Sequence, residues 1–253
     1  MKNGNLREVS HPSPLLSPQP PLYHPRGSVK YIIPNAMTSE RLHINEIFYS
    51  IQGESTHAGR PCVFVRLTGC NLRCKWCDTE YAFYEGRRMS VAEVAEIVRS
   101  YRCNLIEVTG GEPLLQEGVY PLMDAMLESG QTVMVETSGA SDVARLDPRV
   151  IKIMDLKCPG SGECEKNLWS NLDHLTKRDE IKFVVADRAD YDWARDTIVA
   201  RELAPRVNAL LMSPVFGQLD PAALAAWILE DRLPARMQLQ MHKQIWPSIS
   251  RGV

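Results

Sequence analysis

The chain has 253 residues, 44% of them hydrophobic and 24% charged, so it can bury a sizeable core and is neither disordered nor fibrous in composition. A formal net charge of -2 gives no global positive field for a phosphate backbone, and no apolar run approaches the ~18 residues of a spanning helix; a small-molecule substrate is expected, and direct nucleic-acid and membrane roles are not. The 7 cysteines are odd in number, with three crowded into one segment, which argues for a reducing, cytoplasmic setting over a disulfide framework.

Residues 1–36 carry Pro12, Pro14, Pro18, Pro20, Pro21 and Pro25 without strand or helix periodicity, and are expected to form a disordered or loosely docked tail. Met37 opens the remainder, 37–253, which reads as one domain. Its first strand is CVFVRL (62–67). The segment SVAEVAEIVRSY then puts Val91, Val94, Val98 and Tyr101 on one helical stripe, with Ser90 and Glu93 as a capping box. A second strand, NLIEV (104–108), precedes VYPLMDAMLESG, a helix closed by Gly130. TVMVE (132–136), VIKIMDL (150–156), EIKFVV (180–185) and VNALLM (207–212) follow as strands. DPAALAAWILED opens a helix with Asp220 and Pro221, and MQLQM (237–241) is the last predicted strand. This is an α/β pattern of about six βα repeats, a parallel sheet with helices outside, either open or curled as a barrel.

The unusual residues fall just beyond strand ends. TGC follows the first strand, TGGEP the second, ETSG the third, KCPGSG the fourth, SPVFG the sixth and MHK the last. That edge is where parallel α/β proteins bind ligands. The first cluster, GCNLRCKWCDTEYAF, supplies Cys70, Cys74 and Cys77 and no histidine. A closed zinc site or a cubane cluster takes four protein ligands, so a loop offering three leaves an open position for a small molecule. A zinc knuckle completed from afar is the competing reading; Cys62 and His57 belong to the other end of the first strand. Cys158 and Cys164 are too few for a second cluster, and Cys62 and Cys103 read as small buried apolar residues.

The run Cys70-x-x-x-Cys74-x-Trp76-Cys77 resembles the motif of the radical S-adenosylmethionine enzymes, and the resemblance extends over residues 42–246. It implies a partial TIM-like (βα)6 barrel with parallel strands. It also implies that Cys70, Cys74 and Cys77 hold a [4Fe-4S] cluster whose fourth iron takes the methionyl amine and carboxylate of S-adenosylmethionine. The backbone beside Trp76 would seat the adenine, Thr109, Gly110, Gly111 and Glu112 would hold the methionyl amine, and Thr137 and Ser138 would lie against the cofactor.

Within that superfamily, INEIFYSIQGESTHAGRPCVFVRLTGCNLRCKWCDTEYAF is similar to the 7-carboxy-7-deazaguanine synthases over nearly its full length. The likeness implies a lyase that contracts 6-carboxy-5,6,7,8-tetrahydropterin to 7-carboxy-7-deazaguanine with loss of ammonia, in queuosine biosynthesis. Gln52 and Glu54, on one face if extended, would read the 2-amino-4-oxo edge, Arg66 would take the carboxylate as a bidentate pair, and Thr109 and His242 would complete the pocket. Thr79 would bind Mg2+, Asp78 would orient its loop, and Lys157 and Lys182 would stand near substrate or cofactor. Ser55 stands where relatives often have glycine. A flavodoxin or ferredoxin electron donor and a homodimer are implied by resemblance alone. The alternative is a glycyl-radical activating enzyme acting on a protein partner, which would not need the QGE and Arg66 constellation.

Overall fold

Period-two alternation decides which residues of each strand meet the helices and which meet the interior. In Pro61–Leu67 (β2), Val63, Val65 and Leu67 enter an outer apolar layer, while Cys62 and Phe64 enter an inner one. The computed structural model describes residues 40–247 and 251–253, so the tail expected over 1–36 lies outside the described residues. Among the described residues nine strands form one sheet, in the spatial order β3 (Arg87–Ser90), β1 (Arg41–Ile51), β2, β4 (Leu105–Gly110), β5 (Thr132–Thr137), β6 (Ile151–Asp155), β7 (Glu180–Val185), β8 (Ala209–Pro214) and β9 (Arg236–Met237). Strands β4 (Leu105–Gly110), β5 (Thr132–Thr137), β6 (Ile151–Asp155), β7 (Glu180–Val185) and β8 (Ala209–Pro214) continue from β2 in parallel. With β2 they make the six long parallel strands of the expected partial barrel. The short β9 (Arg236–Met237) extends the same edge.

Helices α1 (Val91–Ser100) and α2 (Val119–Glu128) cover one half of the sheet, and α3 (Arg188–Ala200) and α4 (Pro221–Glu230) the other. The Ser90 and Glu93 capping box is formed, and Asp220 accepts from Ala222 N at the start of α4. Gly130 adopts φ +81 just past α2, as a left-handed C-terminal stop requires. Two crossovers lack an α-helix: β5 to β6 runs through turns, and β6 to β7 through 3-10 turns that end at His174. The βα count is thus right in strands and high in helices.

The other edge departs from the all-parallel expectation. Arg41–Ile51 (β1) and Arg87–Ser90 (β3) pair antiparallel, β1 with both β2 and β3. The β1 register shifts between Ile44 and Glu46, a bulge that breaks the alternation by which a half-buried strand is recognised in sequence. MQLQM is a strand only at Met237; after Gln240 the chain turns into α5 (Met241–Ile245).

The β1–β2 turn closes the barrel from below. Ile51 pairs with Pro61, the first residue of β2, so residues 52–60 lie at the end opposite the cysteine rim. Thr56 donates from both N and Oγ1 to Glu180, the first residue of β7, and Ser55 N donates to Gln238 Oε1 at 2.9 Å. Ser55 sits at φ +65, a left-handed conformation that a glycine would adopt at lower cost. Phe48, Cys62, Phe64, Leu105, Met134, Ile151 and Ile153 fill the interior above this turn.

Candidate active site

The loop after β2 is held in place by its neighbours. Gly69 N donates to Ala82 O, Lys75 N to Ser161 O at 3.1 Å and Arg73 N to Glu163 Oε1 at 2.6 Å, so the KCPGSGE loop after β6 braces the cysteines. All seven cysteines are free. Cys70, Cys74 and Cys77 are half-buried and, with Trp76 and Thr79, line a cavity of about 460 Å³, within the usual range for small-ligand sites. Among the described residues no three His, Cys, Asp or Glu side chains gather tightly enough to hold a single metal ion. Burial pushes the Cys70 and Cys74 thiols up, a cost that ligation to a metal would offset.

The TGGEP glycines pack closely on the neighbouring backbone. A Cβ on Gly111 would stand 2.1 Å from Gly69 O, and one on Gly110 would stand 2.6 Å from Leu67 O. The close approach they permit is to the backbone that carries Cys70. Glu112, expected to offer a free carboxylate to an amine, is fully buried and fully engaged: Leu114 N, Thr137 Oγ1, Ser138 N and Ser138 Oγ all donate to it. It clamps the β4 rim to the β5 rim and does not border the cavity, whereas Thr109, Gly110, Gly111, Thr137 and Ser138 do. Thr109 Oγ1 donates to Glu136 Oε2 at 3.3 Å.

Below the rim lies a ring of charge. Lys182 Nζ bonds Glu54 Oε2 at 3.1 Å and Glu136 Oε1, with Asp155 Oδ2 at 3.8 Å. Lys157 Nζ bonds Asp155 Oδ2 at 2.8 Å, and Asp155 Oδ1 is buried with no hydrogen-bond partner among the described residues, an acceptor left for a ligand donor. Glu136 is enclosed by protein yet borders the cavity with 29% of its side chain exposed. Burial raises it, but Lys182 brings it below the usual carboxylate range; burial lowers Lys182, but Glu136, Glu54 and Asp155 lift it far above the usual ammonium value.

Gln52 and Glu54 do reach this floor, though not as a free reading pair. Gln52 Nε2 donates to Glu107 Oε2 at 2.5 Å and its Oε1 accepts from Glu54 N. Glu54 accepts from Lys182, Gln238 and Gln240. Arg66 lies inside, its Nε donating to Glu46 Oε1 at 2.8 Å and its guanidinium 5.9 Å from the Phe48 and Tyr81 ring centres. Tyr81 OH donates to the same Glu46 oxygen. Burial opposes the Arg66 charge, and Tyr81 and Glu46 more than compensate it.

His242, on α5, packs against Gly53, where a Cβ would stand 2.3 Å from its Nδ1. Burial holds its imidazole below the usual range against the pull of Glu54 and Asp78. Asp78 bonds Lys243 Nζ at 2.7 Å and Gln240 Nε2 at 3.2 Å; burial raises its carboxyl, but Lys243 brings it down to about 2. Thr79 Oγ1 lies 3.8 Å from Cys77 Sγ. The cavity therefore joins the cysteine rim, a charged middle and an aromatic floor.

Residues 64–155 match the Radical SAM superfamily model. The chain is 47% identical over 226 residues to the 7-carboxy-7-deazaguanine synthase of Koribacter versatilis, covering 84% of this chain and 100% of the relative. It is 48% identical over 219 residues to that of Chlorobaculum tepidum, covering 85% of this chain and 99% of the relative. The chain belongs to the 7-carboxy-7-deazaguanine synthase family. The crystal structure of QueE from Escherichia coli shares the fold, with a TM-score of 0.66 and 23% identity over 80% of this chain and 95% of that one. As a member of the 7-carboxy-7-deazaguanine synthase family the chain is a radical S-adenosylmethionine enzyme, which implies a [4Fe-4S] cluster and S-adenosylmethionine; three clustered thiols with an unpartnered acceptor at Asp155 fit both.

Sequence reasoning missed Glu46 and Tyr81, which orient Arg66, and Asp155, Glu107 and Val253, which line the cavity. Glu46 and Tyr81 lie 20 and 15 positions from Arg66, so no local pattern announces them. A carboxylate in each of two apolar strands, NLIEV and VIKIMDL, was the available signal for Glu107 and Asp155.

Proposed function

We propose that this chain contracts 6-carboxy-5,6,7,8-tetrahydropterin to 7-carboxy-7-deazaguanine with release of ammonia. The observation that carries the reading is Arg66. Its Nε is committed to Glu46, its terminal nitrogens have no partner among the described residues, and its side chain lines the same cavity as the three cysteines. A bidentate grip on a substrate carboxylate suits that geometry. When bound, the cluster and S-adenosylmethionine supply hydrogen-atom abstraction, chemistry that belongs to the cofactor. The protein's share is placement. Phe48 and Phe64, stacked at 4.8 Å, give a flat wall for a planar ring, and Gln52, Gly53 and His242 close the floor beneath it. Thr109, Gly110, Gly111, Thr137, Ser138 and Trp76 surround the space between the ring and the cysteines.

Thr79 is the proposed protein ligand of Mg2+. Its hydroxyl borders the same cavity and would supply one of the oxygen ligands that a hard cation takes. The reading also includes a flavodoxin or ferredoxin as electron donor, a homodimer, a cytoplasmic setting and a place in queuosine formation. No helix among the described residues is long and apolar enough to cross a membrane.

The test is anaerobic reconstitution with iron and sulfide, followed by dithionite, S-adenosylmethionine, magnesium and 6-carboxytetrahydropterin, with products followed by mass. Formation of 7-carboxy-7-deazaguanine with little net loss of S-adenosylmethionine is expected; cofactor cleavage without ring contraction would overturn the reading in favour of an activating enzyme. Arg66→Lys keeps the charge but loses the fork, and is expected to raise KM for the pterin roughly tenfold or more with S-adenosylmethionine affinity unchanged. Equal losses of affinity for both ligands would show that Arg66 only supports the barrel.

A further inference from the structure

Glu107 is a cavity carboxyl to which no task has been given. It stands in β4 between Leu105 and Thr109, so all three face inward, and only 4% of its surface is exposed. A buried carboxyl wants partners on both oxygens. Oε2 has Gln52 Nε2 at 2.5 Å; Oε1 has none among the described residues, although the side chain lines the cavity. Among the described residues no cation is bonded to it, and the nearby Lys182 is bonded to Glu54 and Glu136. Burial, followed by the charge of Glu136, pushes the carboxyl well above its usual range, with Gln52 pulling the other way. An N–H donor brought by a ligand would relieve that strain, and the adjacent wall suits a planar donor: Phe64 is the cross-strand partner of Glu107 and stacks on Phe48.

We propose that Glu107 is a specificity-determining residue whose free oxygen accepts from the exocyclic amino group of a 2-amino-4-oxo ring, while Gln52 holds the carboxyl in place instead of reading the ring. The proposal rests on the pterin reading given above. It changes the expected role of Gln52, because the Gln52 amide is spent on Glu107 Oε2 and Glu54 N.

The experiment measures kcat/KM of the reconstituted holoenzyme, native and Glu107→Gln, with 6-carboxytetrahydropterin and with its 2-deamino analogue. In the variant the new amide must give its one oxygen to Gln52 Nε2, which turns an NH2 toward the substrate amino group. The expected result is a loss of roughly ten- to a hundredfold on the pterin, and a change within a factor of about two on the analogue. Equal losses on both substrates would overturn the proposal and leave Glu107 a structural partner of Gln52. Native protein supplies a second readout that needs no variant: it should prefer the pterin over the analogue by roughly ten- to a hundredfold, and equal use of the two would overturn the proposal. If native protein forms no 7-carboxy-7-deazaguanine at all, the pterin reading falls and this inference with it, a result distinct from either outcome above.

Discussion

Lys182→Met is expected to lower the stability of the protein by about 3 to 5 kcal/mol at neutral pH, the usual cost of removing one partner from a buried charge network. Lys182 is 6% exposed and faces Glu54, Glu136 and Asp155 at once. Methionine fills its volume but leaves three carboxylates in mutual repulsion, with only Lys157 near Asp155. The loss should depend on pH with a definite sign. In the native protein Lys182 holds Glu136 below its usual range, a stabilisation that is present above the unfolded carboxylate value and fades as pH falls. In the variant the crowded carboxylates are raised, so the destabilisation grows as pH rises through their folded values. The gap between native and variant protein is therefore widest near neutrality and narrows toward pH ~4.5. Urea unfolding at both pH values checks this, and an equal gap at the two would show that volume, not charge, sets the role of Lys182.

The same network shows what a linear reading can and cannot see. Lys182 was legible as a residue that could stand near substrate or cofactor, but its partners Glu54, Glu136 and Asp155 come from three other segments and were not. The cysteine spacing and the two helix caps are local patterns, and the structure reproduces the caps; TGGEP and ETSG fall at the C-terminal ends of β4 and β5, with Thr109, Gly110, Glu136 and Thr137 still inside the strands. Three features were not legible. The bulge at Ile44–Glu46 hides β1, and with it the turn that carries Gln52 and Glu54 across the bottom of the barrel to Glu180. The partnership of Arg66 with Glu46 depends on antiparallel register, which residue type does not announce. Glu112 and Glu107 have the same side chain in the same strand-to-rim region, yet one is saturated by rim donors and the other is half-paired on the floor. Only coordinates separate a structural carboxylate from one with an oxygen to spare.

Gly111→Ala is expected to remove most of the bound iron and to lower activity by about a hundredfold or more, the scale of loss when catalytic groups shift by ~1 Å. The reason lies in backbone contact. The added methyl would meet Gly69 O at 2.1 Å, Gly69 C at 2.6 Å and Cys70 Cβ at 2.8 Å, none of which belongs to a flexible side chain that could swing aside. The same approach brings Glu112 N to Gly69 O at 2.8 Å, so relief of the clash must also break a rim hydrogen bond. Both routes move Cys70, the first of the three thiols. Overpacking of this kind costs typically about 1 to 3 kcal/mol, too little to unfold a domain of ordinary stability, so the lesion should be local. Gly59 provides the comparison. It adopts φ +86 in the turn beneath the barrel and has nothing within 4 Å of an added Cβ. Gly59→Ala should therefore cost about 1 kcal/mol of backbone strain and leave the iron content unchanged. Iron and sulfide content per chain, measured beside thermal unfolding for both variants, separates the two cases: full iron in Gly111→Ala would mean that the cysteine loop does not depend on this contact.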